Sequence, residues 1–110
     1  MTHSIKPQIM YIECKAGELT GEARIGRVTF NRTGKTLFYD GKTFHPYQGF
    51  KSNYRCEETL QDYWISGPKR RGGDSLYATN ITTKIDDDVR EEYWTAIRKQ
   101  PARIKETETL

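Results

Sequence analysis

Leu37-Phe38-Tyr39-Asp40-Gly41-Lys42-Thr43-Phe44 sets a two-residue Asp-Gly loop between two short runs of strand-forming residues. Both central residues of such a loop take positive φ, and its twist matches that of the flanking strands, so the stretch predicts a tight β-hairpin. Upstream, Arg24 to Phe30 leads into Asn31-Arg32-Thr33-Gly34-Lys35, where Gly34 supplies the left-handed residue of a longer hairpin turn. Three consecutive antiparallel strands follow from this local chemistry.

Working outward, Ile9 to Cys14 reads as a first strand, after a flexible lead over residues 1–8. In the second strand Gly26 lies in phase with Val28 and Phe30, while Ile25, Arg27 and Thr29 project to the other side. A mid-strand glycine marks a bulge or a close approach of another group to the backbone. Beyond the Asp-Gly hairpin, Pro46 to Ser52 reads as irregular, with Gly49 inside it. Asn53 to Cys56 and Tyr63 to Ser66 read as two more strands around a polar turn near Glu57 to Gln61. The neighbours Tyr63 and Trp64 must face opposite sides of the sheet. A basic loop from Gly67 to Asp74 leads to Ser75-Leu76-Tyr77, and Thr82 to Ile85 adds a last short strand. Six to seven short strands at this spacing predict a mainly β (α+β) domain, either a small antiparallel Src-homology-3-like barrel or a strongly bent sheet.

The period changes near the C-terminus. Val89, Tyr93 and Ile97 recur every four residues beside Trp94, predicting one α-helix from about Asp88 to Gln100 with a narrow apolar stripe. Asp86-Asp87-Asp88 offers capping oxygens, Asp88 with Glu91 has the spacing of a capping box, and Arg98 and Lys99 suit the other end. A helix this short needs the sheet to cover its apolar stripe. Residues 101–110 lack an apolar period and read as a disordered tail, leaving 9–100 as one domain.

Composition narrows the class. The chain has 110 residues, 35% hydrophobic and 30% charged, with seven Tyr, four Phe and two Trp to fill a single core. Residues 1–85 hold 13 Lys/Arg against 8 Asp/Glu, and residues 86–110 hold 5 against 7, so the sheet-forming part is the basic part. Such asymmetry steers acidic partners. The longest apolar run, Ile9 to Ile12, is far short of the ~20 residues of a membrane-spanning helix. With no secretory stretch in residues 1–8, the expectation is a cytoplasmic protein that does not enter membranes.

Cys14 and Cys56 lie in no metal-ligand spacing and read as buried reduced thiols, with a disulfide between them as the alternative; with only His3 and His45 beside them, no zinc site or other metal is expected. Gly34-Lys35-Thr36 ends like a phosphate-binding loop, but the required earlier glycine is replaced by Thr29, and a strand rather than a helix follows. Ser66 has no nucleophile elbow, and the acids at 86–92 read as solvated helix charges, so neither a catalytic set nor a cofactor is expected.

The feature left over is Tyr63-Trp64-Ile65-Ser66-Gly67-Pro68-Lys69-Arg70-Arg71-Gly72-Gly73-Asp74. Lys69, Arg70 and Arg71 sit at a loop tip bounded by Gly and Pro, with Trp64 and Tyr77 on either side. Small barrels bind single strands by stacking bases on rings while cations follow phosphates. Hairpin tips also carry Lys and Arg for solubility and to block edge pairing. The leading expectation is a non-enzymatic binding module for single-stranded nucleic acid or another polyanion, using these five residues. The alternative is a protein-interaction module or small structural subunit, pairing through an exposed strand edge with a partner such as an acidic protein.

Five strings, Ala23 to Phe30, Thr33 to Leu37, Gly49 to Tyr54, Tyr63 to Lys69 and Ile85 to Trp94, together resemble a group of small uncharacterised bacterial proteins. The resemblance spans most of residues 9–100 and implies a bacterial, cytoplasmic protein with no catalytic residue carried over. Some members resemble proteins labelled deoxyxylulose-phosphate synthase, a label that does not fit this chain. That thiamine-diphosphate enzyme is several times longer, and Gly73-Asp74-Ser75 does not meet its Gly-Asp-Gly cofactor motif.

Overall fold

A computed structural model describes residues 5–15, 23–69 and 82–109. Their strands are β1 (Gln8–Cys14), β2 (Ala23–Phe30), β3 (Leu37–Tyr39), β4 (Lys42–Gly49), β5 (Ser52–Cys56), β6 (Asp62–Ser66), β7 (Thr83–Ile85) and β8 (Glu108–Thr109). Strands β1 to β6 pair antiparallel in chain order, and β1 also pairs with β6, which closes a six-stranded barrel. β7 runs parallel to β2 along Ala23–Ile25, and β8 is antiparallel to β7. Over the described residues the protein is therefore a mainly β small barrel with two added strands and one C-terminal helix.

Local chemistry accounts for the hairpins. Asp40 and Gly41 take φ of 51° and 72°, as the two-residue turn demands, and Gly34 takes 76° in the β2–β3 connection. Asn31 N–H donates to the Thr36 carbonyl at 3.0 Å and closes that connection. The stretch read as irregular is ordered. β4 continues to Gly49, with a register shift between Pro46 and Gly49, because a bulge accommodates an interrupted alternation without ending the strand.

Alternation divides the sheet between two cores. Ile12, Val28, Leu37, Phe44, Cys56 and Ile65 fill the barrel, with Met10, Phe30, Tyr54 and Tyr63 packed around them. Ile9, Tyr11, Ala23 and Ile25 point outward and are covered by Val89, Tyr93 and Trp94 of the helix. Burying a large side chain such as these contributes about 1.5–3 kcal/mol, so the helix stripe and the outer face of β1 and β2 stabilise each other.

The helix differs from expectation in three respects. It is composite, with a 3₁₀ turn at Asp87–Val89, an α turn at Arg90–Glu92 and a π turn at Tyr93–Ile97. It stops short of Gln100, where Lys99 adopts φ 55° and the Gln100 N–H closes onto the Trp94 carbonyl at 2.7 Å. Finally, no side-chain oxygen caps its start. The Asp88–Glu91 capping box is not made, because Asp88 lies inside the opening 3₁₀ turn and Val89 precedes the α turn, while the Asp86 carboxylate turns back to the barrel.

The segment after Pro101 is ordered rather than a loose tail. A 3₁₀ turn at Pro101–Arg103 leads to β8, which pairs Thr109 with Thr83 and Glu108 with Lys84. Its anchors are aromatic. Trp94 Nε1–H donates to the Glu106 carbonyl at 2.9 Å, and the Arg103 guanidinium lies 4.2 Å from the Trp94 ring centre. Gln8 likewise joins β1 instead of the flexible lead. The candidate strand Ser75-Leu76-Tyr77 lies outside the described residues.

Candidate functional site

Of the five residues read from sequence, Lys69 is exposed at the exit of β6, and Arg70, Arg71 and Tyr77 lie outside the described residues. Trp64 is half-buried against the core beneath the helix, and its Nε1–H donates to Ser66 Oγ at 3.1 Å. Tyr63 faces the barrel interior instead, with its ring 4.8 Å from Phe44. Trp64 therefore packs as a core ring, and exposed aromatic surface has to come from elsewhere.

The barrel brings together cations that are scattered in sequence. In an antiparallel barrel alternate connections emerge at one end: here the lead into β1 (5–7), the β2–β3 turn (31–36), the β4–β5 tip (50–51) and the exit from β6 (67–69). These described residues contribute Lys6, Arg32, Lys35, Lys51 and Lys69, and no carboxylate. Ile5 packs within 2.6 Å of where a Cβ on Gly34 would stand, which ties two of the connections together. At the opposite end, the described connections carry Asp40, Glu57 and Glu58 against Lys15. Asp62 accepts from Arg55 at 2.9 Å, and Glu92 accepts from Arg27 at 3.4 Å.

The β4–β5 hairpin supplies the exposed rings. Phe50 is 77% exposed, the largest value among the large hydrophobics of the described residues, and Tyr47 is 38% exposed. The Lys51 ammonium lies 5.3 Å from the Phe50 ring centre, and the Arg55 guanidinium stacks 3.6 Å from that of Tyr47. Hydrogen bonding to Asp62 holds the Arg55 guanidinium firmly protonated and fixes it over the ring. Sequence reading missed this pair, since Pro46 and Gly49 hide the strand pattern. The signal available was the alternation Tyr47, Phe50-Lys51, Tyr54-Arg55 of rings and cations.

A second feature sits where β3 leaves the edge of β2 and β7 takes it over. An open cavity of about 490 Å³ is lined by Arg24, Tyr39, Asp40, Ile85, Asp86, Asp87 and Asp88. Gly26 explains it. A Cβ there would meet Tyr39 Cε1 at 2.3 Å and Asp86 Oδ2 at 2.6 Å, so the close approach anticipated for this glycine is made by those two side chains. Tyr39 O–H donates to Asp86 Oδ2 at 2.5 Å, and Arg24 Nε–H donates to Asp86 Oδ1 at 3.0 Å. Burial, reinforced by the Asp86 hydrogen bond and charge, pushes the Tyr39 phenol well above its ordinary range. The innermost polar groups satisfy one another, and the arrangement latches the start of the helix to the barrel.

Both cysteines are free thiols, Cys56 buried and Cys14 half-buried. Among the described residues no group of three or more His, Cys, Asp or Glu is placed to hold a metal ion, and no helix is long and apolar enough to cross a membrane. No family model matches the chain, and neither does any curated protein or solved structure.

Proposed function

We propose that this barrel is a non-enzymatic binding module for a polyanion, with nucleic acid the leading ligand, and that the basic end is its contact surface. The observation carrying this reading is the charge partition: five cations and no carboxylate in the described connections of one end. Arg70 and Arg71 follow Lys69 directly in sequence and extend the same basic run. A phosphate backbone is met by such clustered cations, and the counterions it releases make binding fall with salt.

Fluorescence anisotropy with a labelled single-stranded oligonucleotide, titrated at several salt concentrations, tests the reading. The triple variant Lys35→Gln, Lys51→Gln, Lys69→Gln should lower the slope of log affinity against log salt by about two units, from ~0.7 per phosphate contact on single strands. Absence of wild-type binding at low salt, or binding indifferent to salt, refutes the proposal.

A further inference from the structure

Three consecutive residues at the β4–β5 tip each depart from the stable local choice. Phe50 leaves most of its ring in water. Lys51 holds φ 57°, in the left-handed region where a side chain is strained and glycine is favoured. The buried Ser52 hydroxyl has no hydrogen-bond partner among the described residues. Isolated departures of this kind are ordinary, but a run of them concentrates where a segment answers to a ligand rather than to stability.

The same hairpin holds a second ring at a fixed orientation. Asp62 locks Arg55, and Arg55 covers Tyr47, so this ring loses little freedom when it meets a ligand. A methyl group on Gly49 would lie 2.4 Å from Ser52 Oγ and 3.0 Å from Asp62 Oδ2. The tip is thus folded closely onto its own strands, and glycine is what permits it. The tip stands among the connections that carry Arg32, Lys35 and Lys69.

We infer that Phe50, supported by Lys51 and by the Arg55-braced Tyr47, forms a base-stacking platform that selects single-stranded nucleic acid with unpaired bases over polyanions that lack bases. This rests on the polyanion reading above and deepens it. A ring flanked by cations matches a single strand, in which each base offers a π-face and each linkage a phosphate. The charge of the surrounding end argues against a purely apolar protein partner, which would gain nothing from five clustered cations. Phe50 contacts the base, Lys51 contacts the neighbouring phosphate, and Arg55 acts as a positioning residue through Tyr47.

The test compares two probes on the full chain: a labelled 20-nucleotide oligodeoxythymidine and an inorganic polyphosphate, which carries charge without bases. Phe50→Ala should weaken oligodeoxythymidine binding by roughly ten- to a hundredfold while leaving its salt slope and the polyphosphate affinity unchanged. Phe50→Trp should restore or exceed wild-type affinity for the oligonucleotide. Because the side chain lies in water, neither variant threatens the fold. If Phe50→Ala binds oligodeoxythymidine like wild type, or loses both ligands by the same factor, the stacking platform is refuted and the polyanion reading stands. If wild type binds neither probe, the polyanion reading itself is lost.

Discussion

The barrel interior and the layer beneath the helix lie on opposite faces of β1 and β2, yet they are built differently. Ile12, Val28, Leu37, Phe44 and Ile65 make the interior almost wholly apolar. The outer layer buries charge and hydrogen-bonding groups among its rings. Glu13 is fully buried, accepting from Tyr11 O–H at 2.5 Å and from the buried Lys15 ammonium at 2.5 Å. Arg98, also buried, donates to Tyr93 O–H oxygen at 2.8 Å. An apolar interior tolerates rearrangement as long as volume is kept. A buried polar layer does not, because every group must keep its partner. The interior therefore supplies cohesion, and the outer layer dictates how the C-terminal segment docks.

The largest expected effect comes from breaking that outer layer. Lys15→Met leaves the Glu13 carboxylate buried without its cation and should cost about 3–5 kcal/mol, measured by urea denaturation. Replacing the network as a whole, with Tyr11→Phe, Glu13→Leu and Lys15→Met together, should recover most of that loss. By contrast, Leu37→Met in the interior should cost less than about 1.5 kcal/mol. Equal losses for Lys15→Met and Leu37→Met would erase the distinction between the two layers.

Legibility in the sequence follows the same division. Asp40-Gly41 announced its hairpin because both φ values are fixed by two adjacent residues, and the alternation in β2 separated Val28 from Ile25 correctly. The helix stripe of Val89, Tyr93 and Trp94 was equally plain. What escaped depends on distant partners. β8 has two residues and no period of its own, and it exists because β7 offers an edge and Trp94 holds Glu106. Asp86 looked like a cap, but its actual partners Arg24 and Tyr39 stand 62 and 47 residues away in sequence. In the candidate site, alternation predicted that Tyr63 and Trp64 diverge, though not which of the two the helix would cover. Phe50 went unnoticed because a bulge interrupts β4 just before it.

Where the two layers meet, Gly26 sharpens the comparison. Gly26→Ala places a methyl group against the tips of the Tyr39 and Asp86 side chains rather than against backbone. The side chains yield, and the latch between barrel and helix opens, at an expected cost of about 1–3 kcal/mol. The same substitution in a Tyr39→Ala background should cost less, since one of the two obstructing groups is gone. A double-mutant cycle measures this coupling. Full additivity would mean that the close approach at Gly26 is not where the helix is held.

Tyr39→Phe removes only the hydroxyl of that latch and should cost about 1–2 kcal/mol near neutral pH, around the low end for a hydrogen bond to a charged group because the site is only partly buried. Its pH dependence identifies the cause. The folded-state phenol is held protonated above its ordinary value of about 10, because burial and the Asp86 carboxylate both disfavour the phenolate. A raised folded-state pKa means that the contribution is complete below the unfolded value and is lost as pH rises towards the folded one. Denaturation at pH 8 should therefore show the full difference between wild type and Tyr39→Phe, and denaturation near pH 11 a smaller one. A difference that stays constant, or widens, above pH 10 would show that the hydroxyl is not the group linking the barrel to Asp86. The latch would then rest on the Arg24–Asp86 pair alone.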